Sequence, residues 1–209
     1  SIAATISVHG DDRGLVLPPE VAPIAIVIVP IIVGKRREEV LSAAATVEKD
    51  LRNAGFTVKL DDRDMRPGAK YYHWEMRGVP LRVEIGPRDI DANTVVAVTR
   101  LGRKITLDRR GVVEGVISVL AEFGEELSQT ARQAMADRIA VTDTLEEAVK
   151  RGVAVVHWCG SKECAEKIEA ATDASILGSD IRSDLITVSA GPCIACGGNG
   201  TSTLVARTY

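Results

Sequence analysis

Apolar residues along this chain either bunch, alternate, or recur every three to four positions, and the three patterns separate its elements. The run "PIAIVIVPII" (residues 23–32) is apolar on both faces, rich in β-branched residues and bounded by prolines, which predicts a fully buried strand. In "KRREEVLSAAATVEKDLRNAGF" (35–56), Val40, Ala44, Val47 and Leu51 recur at helical spacing, and Gly55 is a natural residue for the position just past a helix end. "TVKLDD" (57–62) reads as a second, short strand. "RPGAKYYHWEMRG" (66–78) reads as a Pro-Gly turn followed by a short helix. "PLRVEIG", "TVVAVTR" and "KITLD" are the third, fourth and fifth strands, the last two joined by a hairpin turn at "LGRK" (101–104). A long helix is expected from about Gly111, with Val113, Ile117, Leu120, Phe123 and Leu127 on its apolar face. Strand, helix, strand, helix and then a meander predict a mixed sheet with helices packed on it.

A second unit is expected from near Glu126. The helix there continues through "QTARQAMADRI". "DTLE" has the spacing of a capping box, with Asp143 as N-cap and Glu146 at N3, and Gly152 closes the helix it opens. "VAVVHW" is a buried strand, "SKECAEKIEAAT" a short helix capped by Ser161, and "DLITVSA" and "TLVARTY" closing strands. The fold class is therefore α/β, a mixed sheet with flanking helices followed by a smaller α/β unit, with no internal repeat.

Composition narrows this picture little. Aromatics make up 3% of the residues, so the core must be aliphatic. The net charge of −3 argues against a general nucleic-acid coat protein. The longest apolar run, Val21 to Val33, is short for a membrane span and is broken by Pro23 and Pro30, and no signal-peptide pattern opens the chain. Ser1 leads straight into an apolar stretch, as if a folded region had been cut, so the expectation is a piece of a longer protein. Charge is uneven: Asp61 to Arg110 holds eleven Lys or Arg against eight Asp or Glu, leaving about −6 elsewhere. A basic segment in an acidic chain suits a localised polyanion contact, and equally a solvated surface of mixed sign.

The basic segment contains "WEMRGVPLRVEIGPRD" (74–89). As a strand it puts Val83 and Ile85 on one face and Arg82 and Glu84 on the other, with Arg88 and Asp89 following after Gly86 and Pro87, and Glu75 on the preceding helix. Cross-strand ion pairing on a wet sheet face is one use of such residues. Base recognition is the other. Guanine offers acceptors at O6 and N7 to a guanidinium, and donors at N1 and N2 to a carboxylate, and unstacked bases are the usual target of sequence-specific RNA recognition.

All four cysteines lie in the second unit. Cys159 and Cys164 form one close pair, Cys193 and Cys196 another followed by two glycines, with 28 residues between the pairs. This is the layout of a closed structural zinc site with four thiolates. Cys159 ends a strand, and Cys164 falls in a first helical turn, where the helix dipole favours a thiolate. Disulfides belong to secreted chains, and a redox Cys-x-x-Cys usually opens a helix, which "CIACGG" does not. Redox use, a disulfide and no role remain the alternatives. His157 reads as a sheet residue rather than a fifth ligand.

Three blocks, "HGDDRGLVLPPEVAPIAIVIVPI", "DDRDMRPGAKYYHWEMRGVPLRVEIGPRD" and the cysteine-rich end with Tyr209, resemble prolyl-tRNA synthetase of the archaeal and eukaryotic type along essentially the whole chain. The resemblance implies the tail of class II catalytic motif 3 in residues 1–20, a class IIa anticodon-binding domain in 21–125 and a C-terminal zinc-binding domain in 126–209. It implies that Glu75, Arg82, Arg88 and Asp89 read the two guanines of the proline anticodon. Relatives carry Lys where this chain has Arg88; only Arg offers a planar fork. Glu84 belongs to the same block. Cys159, Cys164, Cys193 and Cys196 fall on the family's zinc ligands. His9 and Gly10 would line the floor of the prolyl-adenylate pocket, with Asp11 a lesser candidate and a purely structural turn the other reading. The resemblance further implies a cytoplasmic homodimer that uses proline, ATP, Mg²⁺ and tRNA(Pro), and no membrane. A free-standing RNA-binding zinc module and a zinc-thiolate redox protein are the competing classes.

Overall fold

The structure, a computed structural model, describes residues 2–150, 152–179 and 188–207, without the side chains of Ile2 and Val149. The chain divides into two compact units, Ser1–Ala131 and Arg132–Tyr209.

The first unit opens with α1 (Ile2–His9), then a loop leads to β1 (Ile26–Pro30). Every residue of β1 is buried because both faces are covered, as its unbroken apolar run predicts. Helix α2 (Arg37–Asn53) buries Val40, Ala44, Val47 and Leu51, the four positions its spacing marks. It stops where Gly55 takes φ +93°, which a side chain rarely adopts. Strand β2 (Val58–Leu60), helix α3 (Pro67–Met76), strand β3 (Leu81–Ile85), helix α4 (Pro87–Asp91) and the hairpin of β4 (Thr94–Thr99) and β5 (Lys104–Asp108) follow. Helix α5 (Val112–Arg138) is the longest.

The strands form one mixed sheet in the order β2-β1-β3-β4-β5, parallel through β2-β1-β3 and antiparallel beyond. One face carries Ile26, Ile28, Leu81, Val83, Ile85, Val95 and Ala97 against α2 and α5. The other carries Val27 and Val29, which α3 covers through Tyr71 and Trp74. In this register Arg82 and Glu84 pair with Val98 and Val96 on that second face. The face extends to Lys104 and Thr106 of β5, which are exposed.

Helix α3 is pinned to the sheet by one carboxylate. Asp61, 1% exposed at the end of β2, accepts from Trp74 Nε1 at 2.7 Å and from Arg63 Nη2 at 2.7 Å and Nε at 2.8 Å. Its carbonyl accepts from the buried Lys70 Nζ at 2.9 Å. Every buried polar atom of this network is satisfied.

The second unit holds β6 (Ile139–Val141), α6 (Leu145–Lys150), β7 (Val153–Trp158), α7 (Lys162–Thr172), β8 (Ser175–Gly178), β9 (Ala190–Pro192) and β10 (Asn199–Ala206). Its sheet runs β6-β7-β10-β8, with β9 also paired to β10. Ala148, Ala154, Val156, Ile168 and Val205 form its core.

Several local expectations need correction. Pro67-Gly68 is not a turn before α3 but its first turn, since proline has no N–H to lose at N1. The Gly86-Pro87 break is likewise the start of α4, with Asp89 Oδ2 accepting from the Gly86 N–H at 2.8 Å. The apolar stripe of α5 is centred on Val112, Val116, Val119, Leu120, Phe123 and Leu127, which are buried; Val113 packs partly buried against the same core, while Ile117 is half exposed. The α6 cap is Thr144, whose Oγ1 accepts from Glu147 N at 3.3 Å, one residue past the expected Asp143. Helix α5 ends at Arg138, because Ile139 pairs with Val153 as the start of β6. Strands β6 and β8 were not expected; each is four residues or fewer, too short to show alternation. Of the expected strand 184–190, residues 184–187 lie outside those described, as does Tyr209.

Burial raises the Asp61 carboxyl, but the Arg63 guanidinium and the Trp74 N–H outweigh it and hold it down at about 2, against an ordinary 3.8. A carboxyl depressed in the folded state stabilises fully above its unfolded pKa and loses that contribution as pH falls through the folded value. About 2 kcal/mol of stability is therefore expected above pH 4 and lost on descending toward pH 2. Denaturant titrations at a series of pH values should show a shallower acid loss in Asp61→Asn than in the wild type. Identical acid limbs would contradict this.

Candidate nucleic-acid interface and metal centre

Alternation along β3 decides which of its side chains are available. Leu81, Val83 and Ile85 are fully buried in the main core, so Arg82 and Glu84 must point to the opposite face. There Arg82 Nε donates to Glu84 Oε1 at 2.9 Å, and the guanidinium lies 3.9 Å from the centre of the Tyr71 ring. Both side chains are largely sheltered, at 15% and 18% exposed. Burial, reinforced by the Glu84 carboxylate, pushes the Tyr71 hydroxyl up to about 12, so it stays neutral near pH 7. A stacked cation, a neutral ring and a carboxylate thus sit together on a part of the sheet that α3 only partly covers.

Helix α4 adds the next pair. Glu84, Arg88 and Asp89 line one cavity of about 400 Å³ with Ile31, Val33, Gly86, Pro87 and Val96. Its volume is of the size that takes a small organic group. Asp89 is oriented by the Gly86 N–H. Arg88 has no ion-pair partner among the described residues and is a cation available to a ligand. Arg36 holds the helix in place, reaching the Pro87 carbonyl at 3.3 Å and Asp91 Oδ1 at 2.8 Å.

Glu75 is not among the residues lining the cavity. It stands one helical turn after Tyr71 on α3, and its Oε1 is 3.2 Å from Arg13 Nη1. His9 ends α1, and Gly10 follows with its N–H on the Ile6 carbonyl at 2.8 Å. A Cβ at Gly10 would lie 2.5 Å from that carbonyl oxygen, so the turn excludes a side chain. Asp11 instead forms a fork-to-fork pair with Arg100, at 2.6 and 3.1 Å, and that guanidinium holds its carboxyl below the usual range.

The sequence did not single out Tyr71, Arg13 or Arg100. Only the spacing of Tyr71, four residues before Glu75 on one helix face, could have marked it.

In the second unit the four cysteine sulfurs lie within 4.8 Å of one another, and none is in a disulfide. Cys159 and Cys196 Sγ are 3.9 Å apart. Sulfurs on a tetrahedral zinc would be about 3.8 Å apart. Ser161 caps α7 through Cys164 N at 3.2 Å and presents Cys164 in the first turn. Gly197, at φ +74°, closes the second pair: Cys193 N donates to Gly198 O at 2.6 Å, and Gly197 N to Cys193 O at 2.8 Å. The Ser161 hydroxyl and amide draw Cys159 down to about 6. Cys196 goes the other way, to about 11: the Gly198 amide favours its thiolate, but Cys164 and Cys193 push harder against it. Four sulfurs this close cannot all ionise without a cation between them. The donor set fits a divalent metal with soft ligands. His157 lies on β7 with Nε2 3.1 Å from Ser189 Oγ.

Comparison with known proteins places the two units in known domain families. Residues 25–119 match the model of an anticodon binding domain, and residues 142–209 that of the C-terminal domain of prolyl-tRNA synthetase. The proline–tRNA ligase of Methanoculleus marisnigri is 80% identical over the whole chain. The chain belongs to the prolyl-tRNA synthetase family. The ligase of Thermococcus kodakarensis is 44% identical over 85% of the chain. The prolyl-tRNA synthetase of Cryptosporidium parvum, solved with L-proline and AMP, superposes over 100% of the chain with a TM-score of 0.87 at 33% identity. The chain spans less than half of these proteins, 44% of the Methanoculleus ligase and 45% of the Cryptosporidium chain. Among the described residues no helix is long and apolar enough to cross a membrane.

A structural thiolate-bound zinc can contribute on the order of 10 kcal/mol to folding. Treating the chain with a strong chelator should lower its thermal unfolding midpoint, and one equivalent of Zn²⁺ should restore it. Cys164→Ser should remove that response. A chelator-insensitive midpoint with no metal detectable by elemental analysis would contradict the assignment.

Proposed function

We propose that this chain is the tRNA-recognising, zinc-stabilised part of a proline–tRNA ligase, which activates proline with ATP and attaches it to tRNA(Pro). The observation that supports this best is the cavity beside β3, where Glu84, Arg88 and Asp89 meet next to the stacked Arg82. In this reading Arg82 and Arg88 donate to guanine O6 and N7, while Asp89 and Glu75 accept from N1 and N2. Tyr71 supports the Arg82 guanidinium and presents a ring edge to an unstacked base. Glu84 both orients Arg82 and faces the cavity.

The remaining assignments follow the same family reading. Residues 1–20 end the catalytic domain, with His9 and Gly10 at the floor of the adenylate pocket; 21–125 form the anticodon-binding domain, and 126–209 the zinc domain. Four thiolates leave zinc no open position, so the metal's role is structural. Mg²⁺ and ATP belong to the catalytic part of a cytoplasmic, dimeric enzyme. There, positioning and electrostatic stabilisation would do most of the catalysis.

The test separates selection of tRNA from chemistry. In the full ligase, Arg82→Ala should lower kcat/KM for charging tRNA(Pro) roughly 5- to 100-fold, the value of one good base contact. Proline-dependent ATP–pyrophosphate exchange should be unchanged. Equal loss of both activities would overturn the assigned role.

A further inference from the structure

Glu75 is offered as a base-reading carboxylate, yet in this structure it is already occupied. Arg13 Nη1 lies 3.2 Å from its Oε1. A guanidinium presents neighbouring N–H donors to a carboxylate, as the N1–H and N2–H edge of guanine does. The two ligands are therefore chemical alternatives at one acceptor.

The surroundings leave Arg13 as the element that can yield. Arg100, 2% exposed, donates from Nε to both the Leu15 carbonyl at 2.8 Å and the Glu75 carbonyl at 2.9 Å, and its other nitrogens grip Asp11. Leu15 N donates to the Met76 carbonyl at 3.2 Å. Packing at the seam is close: a Cβ on Gly14 would fall 2.6 Å from Met76 Cα, and one on Gly78 2.7 Å from Leu15 Cβ. The backbone of residues 11–15 is thus clamped to the C-terminal end of α3. The Arg13 side chain is not. It is 52% exposed, and its second carboxylate neighbour, Asp11 Oδ2, is 3.9 Å from Nε.

We propose that Arg13 is an internal stand-in for guanine at Glu75, which a guanine base must displace to be read. The proposal rests on Glu75 being a base reader. It makes that position selective by competition: Arg13 supplies one hydrogen bond, Nη1 to Oε1, which a base with the paired N1–H and N2–H donors betters and a base with a single donor does not. Displaced Arg13 can turn toward Asp11, next to the segment that carries His9 and Gly10.

The sign of the effect distinguishes this from ordinary electrostatics. Removing a cation normally weakens RNA binding. Here Arg13→Ala should tighten the binding of the chain to an RNA hairpin with two adjacent guanines in its loop. The expected gain is about two- to five-fold, the scale of an exposed ion pair. No gain should appear with a hairpin carrying adenines there, or when Glu75→Ala is already present, and Glu75→Ala alone should weaken the guanine hairpin. If Glu75→Ala weakens binding but Arg13→Ala does not tighten it, or tightens both hairpins alike, the stand-in role is overturned while the base-reading role survives. If Glu75→Ala changes nothing, the base-reading role of Glu75 fails and takes the stand-in with it.

Discussion

Strand β3 lies at the centre of its sheet, hydrogen-bonded to β1 on one side and β4 on the other. Its inward residues are completely buried, so a shift of register by one position would put Arg82 or Glu84 into an aliphatic core. That penalty fixes both charged side chains on the outer face. Tyr71 beneath the guanidinium and the 2.9 Å bond to Glu84 then restrict their rotamers. A ligand meeting groups already ordered loses less entropy on binding. Helix α3 is tied down through Asp61 and α4 through Arg36, so the neighbouring charged groups share the same frame. Internal pairing of these charges limits affinity for any passing polyanion and favours a partner that can match their hydrogen bonds.

The second unit meets a different difficulty. Its apolar core is small, and the segments that bring its cysteines together are short. The start of α7 and the turn before β10 supply one close pair each, and their sulfurs crowd to within 4.8 Å. Without a cation the thiolates repel; with one, the same crowding becomes a cross-link between segments about thirty residues apart in sequence.

Much of this was legible in the residues. Complete burial gave β1 its unbroken apolar run, and one-sided burial gave α2 its four marked positions and β3 its alternation. Ser161 was a readable cap because its side chain accepts from the third residue of the helix it opens. Where local rules competed, reading by pattern slipped by one residue. In α5 both Val112 and Val113 reach the core, and only the sheet it packs on decides which lies deeper. Asp143 and Thr144 are both good caps, and the choice falls to whichever residue the preceding strand delivers. Strands β6 and β8 owe their existence to pairing partners, not to their own alternation. At the candidate site, the charged residues stand in one linear block, but their partners do not. Arg13 and Arg100 meet Glu75 across 62 and 25 residues, a separation no spacing rule spans.

Recognition of the edges of guanine by the fixed guanidinium and carboxylate groups of this sheet can be probed on the base itself. The affinity of the chain should be measured for an RNA hairpin with two adjacent loop guanines, each replaced in turn by inosine, which lacks the N2 donors, or by 7-deazaguanine, which lacks the N7 acceptor. Each analogue is expected to weaken binding by about five-fold or more, the low end of a specific base contact. Equal affinity for guanine and both analogues at both positions would contradict the account.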